Sequence, residues 1–257
     1  SDPTRGLVPA DLSKFSSAAT RVTASQIDVK QPRTVNELLH TVPGVHVVND
    51  DGSGRHGGIG MRGSPPRRGR KILHMEDGQP INMSVWIDPS IHYTPPAERL
   101  EGVDVLRGTV ITYGPNNNHG VVNFRNLSPF GPSESEVSFE IGSVKNRGGD
   151  EDNQSKNLYG LNNKRHVHTR QMLDNVGVVL SYTGSEADGV WDTERLRYND
   201  FYGAIGWKGV DQDFQFSAVY LRERDKYDEA NLTGDDDDAP GEVENEFHHE
   251  IGHCKTC

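Results

Sequence analysis

In the stretch EFHHEIGHCKTC, His249, Glu250 and His253 have the spacing H-E-x-x-H. On a helix, residues i and i+4 share a face, so two imidazoles placed this way ligate one zinc ion while the glutamate between them activates water, as in zinc proteases. Such a site needs a third protein ligand. Downstream only Cys254 and Cys257 offer one, and no amphipathic helix precedes the motif. With 11 histidines in the chain, a chance match is unsurprising. The expectation is therefore a polar loop without peptidase chemistry. His248, His249, His253, Cys254 and Cys257 remain soft or borderline donors able to collect metal. The plainer alternative is a solvated loop closed by a Cys254–Cys257 disulfide.

The elements that would position any site are short. Only 33% of the 257 residues are hydrophobic, low for one dense soluble core, and 28 glycines with frequent Asn and Asp favour strands and turns over helices. A formal net charge of −11 argues against a general nucleic-acid binder, which relies on a basic surface. No apolar run approaches the ~20 residues of a membrane-spanning helix, yet a membrane β-strand needs only ~10 alternating residues. No signal-peptide pattern is present, so an exported protein is expected here in mature form.

Residues 1–18 read as a flexible lead-in. Thr23 with Gln26 and Thr34 with Glu37 have capping-box spacing, and Pro43-Gly44 stops the second helix. ILHMEDGQPI predicts two strands folded about Asp77-Gly78. A short helix at AERL and β segments in EGVDVLRG, TVITYGP and GVVNF complete a mixed α/β unit over 19–129. Residues 130–257 differ in character. Period-2 alternation predicts strands at 134–144, 176–186, 199–209 and 213–224. Their polar sides carry Gly, Ser, Glu and Lys, and aromatics lie towards segment ends, as in membrane barrels with a polar lumen and aromatic girdles. The long polar stretches KNRGGDEDNQSKNLYGLNNKRHVHTRQ and DKYDEANLTGDDDDAPGEVENEFHHEIGHCKTC are expected as loops at one end.

The ordered series TVNELLHTVPGV, IGMRG, MEDGQPI, ERLEGVDVLRG, TYGP and GVVNF resembles the plug domain of TonB-dependent outer-membrane receptors. VVLSYTGSEADGVWDTERLRYNDF is most similar to ferric dicitrate and related ferric-chelate receptors of that family. The resemblance implies a mixed α/β plug followed by antiparallel strands of a transmembrane β-barrel, incomplete in this chain because four strands cannot close. It implies a bacterial outer-membrane receptor that imports a ferric chelate and performs no covalent chemistry. The expected partners are the TonB energy-coupling protein, the chelate and outer-membrane lipid. No resident cofactor is expected. A receptor for zinc, another metal or haem is the alternative within the fold, and a surface zinc protease the alternative outside it.

Three plug loops are implied to reach the ligand. In SPPRRGRK, Arg67, Arg68, Arg70 and Lys71 form a cationic cluster suited to a polycarboxylate, since guanidinium binds carboxylate in bidentate fashion. In NMSVWIDPSIHY, Trp86, His92 and Tyr93 would cover a ligand face, and in YGPNNNH, Asn116, Asn117 and Asn118 offer neutral hydrogen bonds. Arg62, Glu98, Arg99, Glu101 and Arg107 lie in the plug motifs and are expected as buried ion pairs between plug and barrel, with local pairing as the alternative.

Overall fold

The computed structural model describes residues 18–49, 58–82, 84, 89–108, 113, 117–145, 159–188, 195–210, 212–228 and 242–256, with backbone alone at 144–145, 159–161, 225–228 and 242–256. Two compact units divide between Leu127 and Ser128.

The first unit begins with β1 (Ala18–Thr23), α1 (Ala24–Lys30) and α2 (Val35–Leu39). Thr23 caps α1 through a complete capping box, its amide donating to Gln26 Oε1 at 3.0 Å. Thr34 accepts from the Glu37 amide at the start of α2, but the Glu37 carboxylate takes the Arg33 amide instead of the cap residue's own. The i, i+3, i+4 spacing of Val35, Leu38 and Leu39 buries one side of this short helix.

Then come β2 (Val45–Val48) and β3 (Gly58–Met61), which pair with each other, and β4 (Ile72–Glu76) and β5 (Gln79–Pro80), which form the expected hairpin. Asp77 and Gly78 have φ of 47° and 84°, the two positive values that a type I′ turn requires. A single 3₁₀ turn at Ala97–Arg99 leads into β6 (Leu100–Arg107), and β7 (Gly120–Asn126) closes the unit. The sheet order is β1-β6-β7-β4-β5, with β4 and β7 parallel and the other pairs antiparallel. Leu73, Met75, Leu106 and Val121 pack as its core, each worth roughly 1.5–3 kcal/mol when fully buried. β4 is buried along its whole length, which explains its unbroken apolar start. Of the expected segment TVITYGP, only Tyr113 is among the described residues.

The second unit is a six-stranded antiparallel meander: β8 (Glu134–Lys145), β9 (Tyr159–Leu173), β10 (Val176–Asp188), β11 (Arg195–Lys208), β12 (Asp213–Asp228) and β13 (Glu242–Thr256), each paired with its sequence neighbours. The four alternating segments fall on β8, β10, β11 and β12. Two expectations are corrected. β9 and β13 occupy stretches read from sequence as loops. In β9 both faces are rich in polar residues, so alternation of hydrophobicity is faint, although Lys164, His166, His168 and Arg170 are all buried on one side. β13 contains the H-E-x-x-H spacing and pairs with β12 from Phe214↔Thr256 to Asp228↔Glu242.

The sheet is inverted relative to a soluble protein. One face exposes Val137, Phe139, Leu180, Ile205, Trp207 and Phe216. The other buries Lys164, His166, Arg170, Thr183, Asp200 and Glu223 among a few apolar side chains. Exposed apolar area is unfavourable in water by ~25 cal/mol per Å², and becomes favourable where lipid is the solvent. Aromatic contacts lie at two levels of the apolar face, Tyr182 with Phe201 at 4.8 Å and Trp207 stacked on Phe214 at 5.9 Å. One end has tight connections at 174–175 and 209–212, while 146–158, 189–194 and 229–241 join strands at the other. This is the short-turn, long-loop asymmetry of outer-membrane barrels.

Candidate functional site

The basic loop between β3 and β4 is fixed by its own backbone. Ser64 Oγ accepts from the Met61 amide at 3.0 Å, and the Ser64 amide returns to the Met61 carbonyl at 3.0 Å. Gly60 permits this fold, because a Cβ there would stand 2.5 Å from the Ser64 carbonyl oxygen. Pro66 then leads into a 3₁₀ turn over Arg67–Gly69, in which Arg68 has φ of 53° and the Gly69 amide bonds the Pro66 carbonyl. The turn presents Arg67, Arg70 and Lys71 to solvent and leaves Arg68 half-buried.

The other two loops join this turn through main-chain hydrogen bonds. The Ile91 amide donates to the Arg68 carbonyl at 2.9 Å, and the His119 amide to the Lys71 carbonyl at 3.3 Å. Asn82 clamps the middle loop: its Oδ1 accepts the His74 amide at 2.8 Å, and its Nδ2 donates to the carbonyls of Ile72 at 3.2 Å and Pro89 at 2.5 Å. The three segments therefore meet at the end of the sheet where β4 and β7 begin and β6 ends. His92 is half-buried and bonds Ser90 Oγ through Nε2 at 2.9 Å. Asn117 is buried and Asn118 exposed. Trp86 and Asn116 lie outside the described residues.

Tyr93 is corrected from ligand contact to core residue. It is 1% exposed, and its hydroxyl donates to Glu76 Oε2 at 3.1 Å while accepting from Arg99. Arg99, fully buried, also donates to Glu76 Oε1 at 2.6 Å and to Asn126 Oδ1. Asn126 Nδ2 bonds Glu76 Oε1 at 2.8 Å and Asp77 Oδ2 at 2.9 Å. Burial pushes the Glu76 carboxyl upward, but the Arg99 charge and the hydrogen bonds from Arg99, Asn126 and Tyr93 outweigh it and hold the group below the usual carboxylate value. For Arg99 the local alternative describes these bonds, since Glu76, Tyr93 and Asn126 belong to the first unit.

Among the remaining candidates, Glu101 lies 4.0 Å from Arg125 within the same unit. Arg107 donates to the Pro43 carbonyl. Glu98 is half-buried, and Arg62 is an exposed residue in the left-handed region at φ 52°. Sequence reasoning passed over Asp104, which is buried and bonded to Arg21 at 2.7 Å with Arg125 at 3.5 Å. It also passed over His74, whose imidazole burial lowers from 6.5 to about 4. The alternation of apolar and polar residues in ILHME would have placed His74 and Glu76 together on one face of β4.

The H-E-x-x-H stretch lies in a strand, not a helix. Four residues along a strand span about 13 Å, whereas two zinc-bound imidazole nitrogens each sit ~2 Å from one ion. His249 and His253 pair with Leu221 and Ser217, His248 with Arg222 and Cys254 with Phe216. Cys257 lies outside the described residues.

Residues 11–121 match the family described as TonB-dependent Receptor Plug Domain. The fold is similar to the ferric citrate transporter FecA in its unliganded form, with a TM-score of 0.71, 21% identity, and coverage of 86% of this chain and 34% of that one. It is also similar to the siderophore receptor PirA from Acinetobacter baumannii (TM-score 0.66, 20% identity, 90% and 36% covered). A third likeness is the ferric enterobactin receptor PfeA (0.61, 18%, 82% and 34%). The chain thus spans about a third of the length of these receptors. With its inverted meander following a sheet that carries the family's motifs, the chain is identified as a TonB-dependent receptor plug domain continuing into the first strands of an incomplete transmembrane β-barrel.

Proposed function

We propose that the full-length protein is an outer-membrane receptor that binds an anionic ferric chelate, of citrate or siderophore type, and imports it with energy delivered through TonB. The observation that carries this reading is the convergence of three loops on one cationic turn: Arg67, Arg70 and Lys71 are exposed there beside half-buried Arg68, on a backbone fixed by Ser64, Asn82 and the Ile91 and His119 amides. A preorganised turn loses little conformational freedom on binding. Guanidinium groups on it can take carboxylate or catecholate oxygens through charge-assisted hydrogen bonds. The likeness to receptors named for ferric citrate, siderophores and ferric enterobactin supports the same ligand class.

The test is ferric-chelate binding by the full-length protein at two ionic strengths, with Arg67→Gln/Arg68→Gln alongside. The double variant is expected to bind at least about tenfold more weakly, equivalent to ~1.4 kcal/mol, and to be less sensitive to salt than the wild type. Unchanged affinity in a correctly folded variant would assign these arginines to the plug's own structure. Tight binding of free zinc or haem in preference to ferric citrate and siderophores would move the reading to the alternative ligand classes.

A further inference from the structure

The apolar face of the second unit holds a feature that chelate transport does not use. The register aligns residues in rows across β10, β11 and β12. One row is Leu180, Gly203 and Ala218, and the next is Tyr182, Phe201 and Tyr220. On the other side lies the row Val178, Ile205 and Phe216. Small residues between two bulky rows leave a trough of about 700 Å³, with Gly203 and Ala218 in its floor and Val167 and Leu180 at one end.

Beyond the tyrosine row, towards the long-loop end, this face turns cationic. The next row reads Arg165, Gly184, Asn199 and Arg222 from β9 to β12, and contains no carboxylate across these four strands. Both arginines are exposed. Arg165 Nε donates to the Tyr182 hydroxyl at 3.2 Å, which donates to Asn199 Oδ1 at 2.8 Å, so the first guanidinium is anchored at the aromatic level. One row further, Arg197 and Arg224 are also exposed, with Glu186 beside Arg197. In the outermost row, Asp188 bonds Arg195 at 3.1 Å. Carboxylates thus balance the outer rows but not the Arg165–Arg222 row. Arginine on a lipid-facing barrel surface is costly at the bilayer midplane and tolerated near the headgroups.

We propose that this surface holds one phosphate-bearing glycolipid of the leaflet at the long-loop end, with an acyl chain in the trough and phosphate at Arg165 and Arg222. The two arginines are three strand spacings apart, roughly 14 Å, with Gly184 leaving the face between them open. Guanidinium matches phosphate geometry in bidentate fashion, and the trough row begins only about 13 Å along the strand from the arginine row. A single amphipathic molecule spans both. Charge complementarity selects an anionic headgroup, and the apolar trough selects a lipid over a soluble anion. This inference rests on placing the strands in an outer membrane, and is independent of which chelate is carried.

The experiment is native mass spectrometry of the delipidated full-length protein in neutral detergent. It is titrated with a diphosphorylated, acylated glucosamine disaccharide, with its dephosphorylated form, and with inorganic phosphate. The wild type is expected to bind one equivalent of the phosphorylated lipid at least tenfold more tightly than either control. Arg165→Gln/Arg222→Gln should weaken that binding at least tenfold, and Gly203→Leu/Ala218→Leu, which fills the trough, should weaken it while leaving ferric-chelate binding intact. Equal binding of the phosphorylated and dephosphorylated lipids by the wild type would overturn the proposal, as would unchanged lipid affinity in both folded variants. So would inorganic phosphate binding as tightly as the lipid. A wild type that binds chelate but not the phosphorylated lipid would overturn this inference alone, leaving the receptor reading in place.

Discussion

Replacing Arg99 by Met removes the cation from a fully buried cluster and leaves Glu76 with no charge partner there. Three hydrogen bonds go with it, to Glu76, Asn126 and Tyr93. A buried ion pair broken from one side typically costs 3–5 kcal/mol, roughly, because the remaining charge must stay desolvated or take up a proton. The double replacement Glu76→Met/Arg99→Met removes that orphaned charge. It still leaves the buried Tyr93 hydroxyl and part of Asn126 without partners, a cost of about 1–3 kcal/mol, although Asn126 keeps Asp77. The double variant should therefore be more stable than Arg99→Met by about 1–2 kcal/mol, a large positive coupling in a double-mutant cycle. Hydrogen exchange of the β4 and β7 amides in the full-length protein at pH 7 reads the effect. Where exchange follows the opening equilibrium, Arg99→Met should accelerate it by roughly 150- to 5,000-fold, and the double variant by clearly less. A single-variant cost under about 1 kcal/mol, or a double variant as unstable as the sum of its parts, would refute the view that this network holds the plug sheet together.

Acid should loosen the same sheet in two windows. His74 is neutral in the folded state down to about pH 4, whereas its unfolded value is 6.5; stability is full above 6.5 and declines as pH falls to 4, by about 3 kcal/mol in total. His74→Phe should flatten that part of the exchange profile. Glu76, held below its ordinary value of 4.5, contributes stability above 4.5 that is lost only in stronger acid, so the Glu76-linked slope should appear below the His74 one. Asn82→Ala removes all three side-chain bonds that tie the middle loop to β4, and exchange at 89–94 should rise by about tenfold or more if one to two kcal/mol is lost. Gly78→Ala forces φ of 84° on an alanine and should lower stability by roughly 1 kcal/mol, measured by denaturant titration of plug-region exchange; no loss would show that the turn is not type I′ in solution. Peptide cleavage assays of wild type and Glu250→Gln should both be blank, since the H-E-x-x-H residues are spread along a strand.

Much of this molecule is legible in one dimension because its signals are local. The capping boxes at Thr23 and Thr34 and the Asp77-Gly78 turn depend on residues within three or four positions of one another, and alternation over β8, β10, β11 and β12 depends only on the pleat. The motif series from TVNELLHTVPGV to GVVNF carried the plug for the same reason. Tertiary structure decided the rest. β9 shows weak hydrophobic alternation because its polar residues lie on both faces, and only pairing with β8 and β10 makes it a strand. HEIGH has helical spacing in sequence, yet pairing with β12 stretches it out and separates its histidines. Arg99 and Tyr93 looked like surface or interface groups because an isolated arginine or tyrosine near a loop gives no sign of burial. Glu76 and Asn126, 23 and 27 residues away, are what make that burial affordable, by satisfying the charge and the hydroxyl where water cannot.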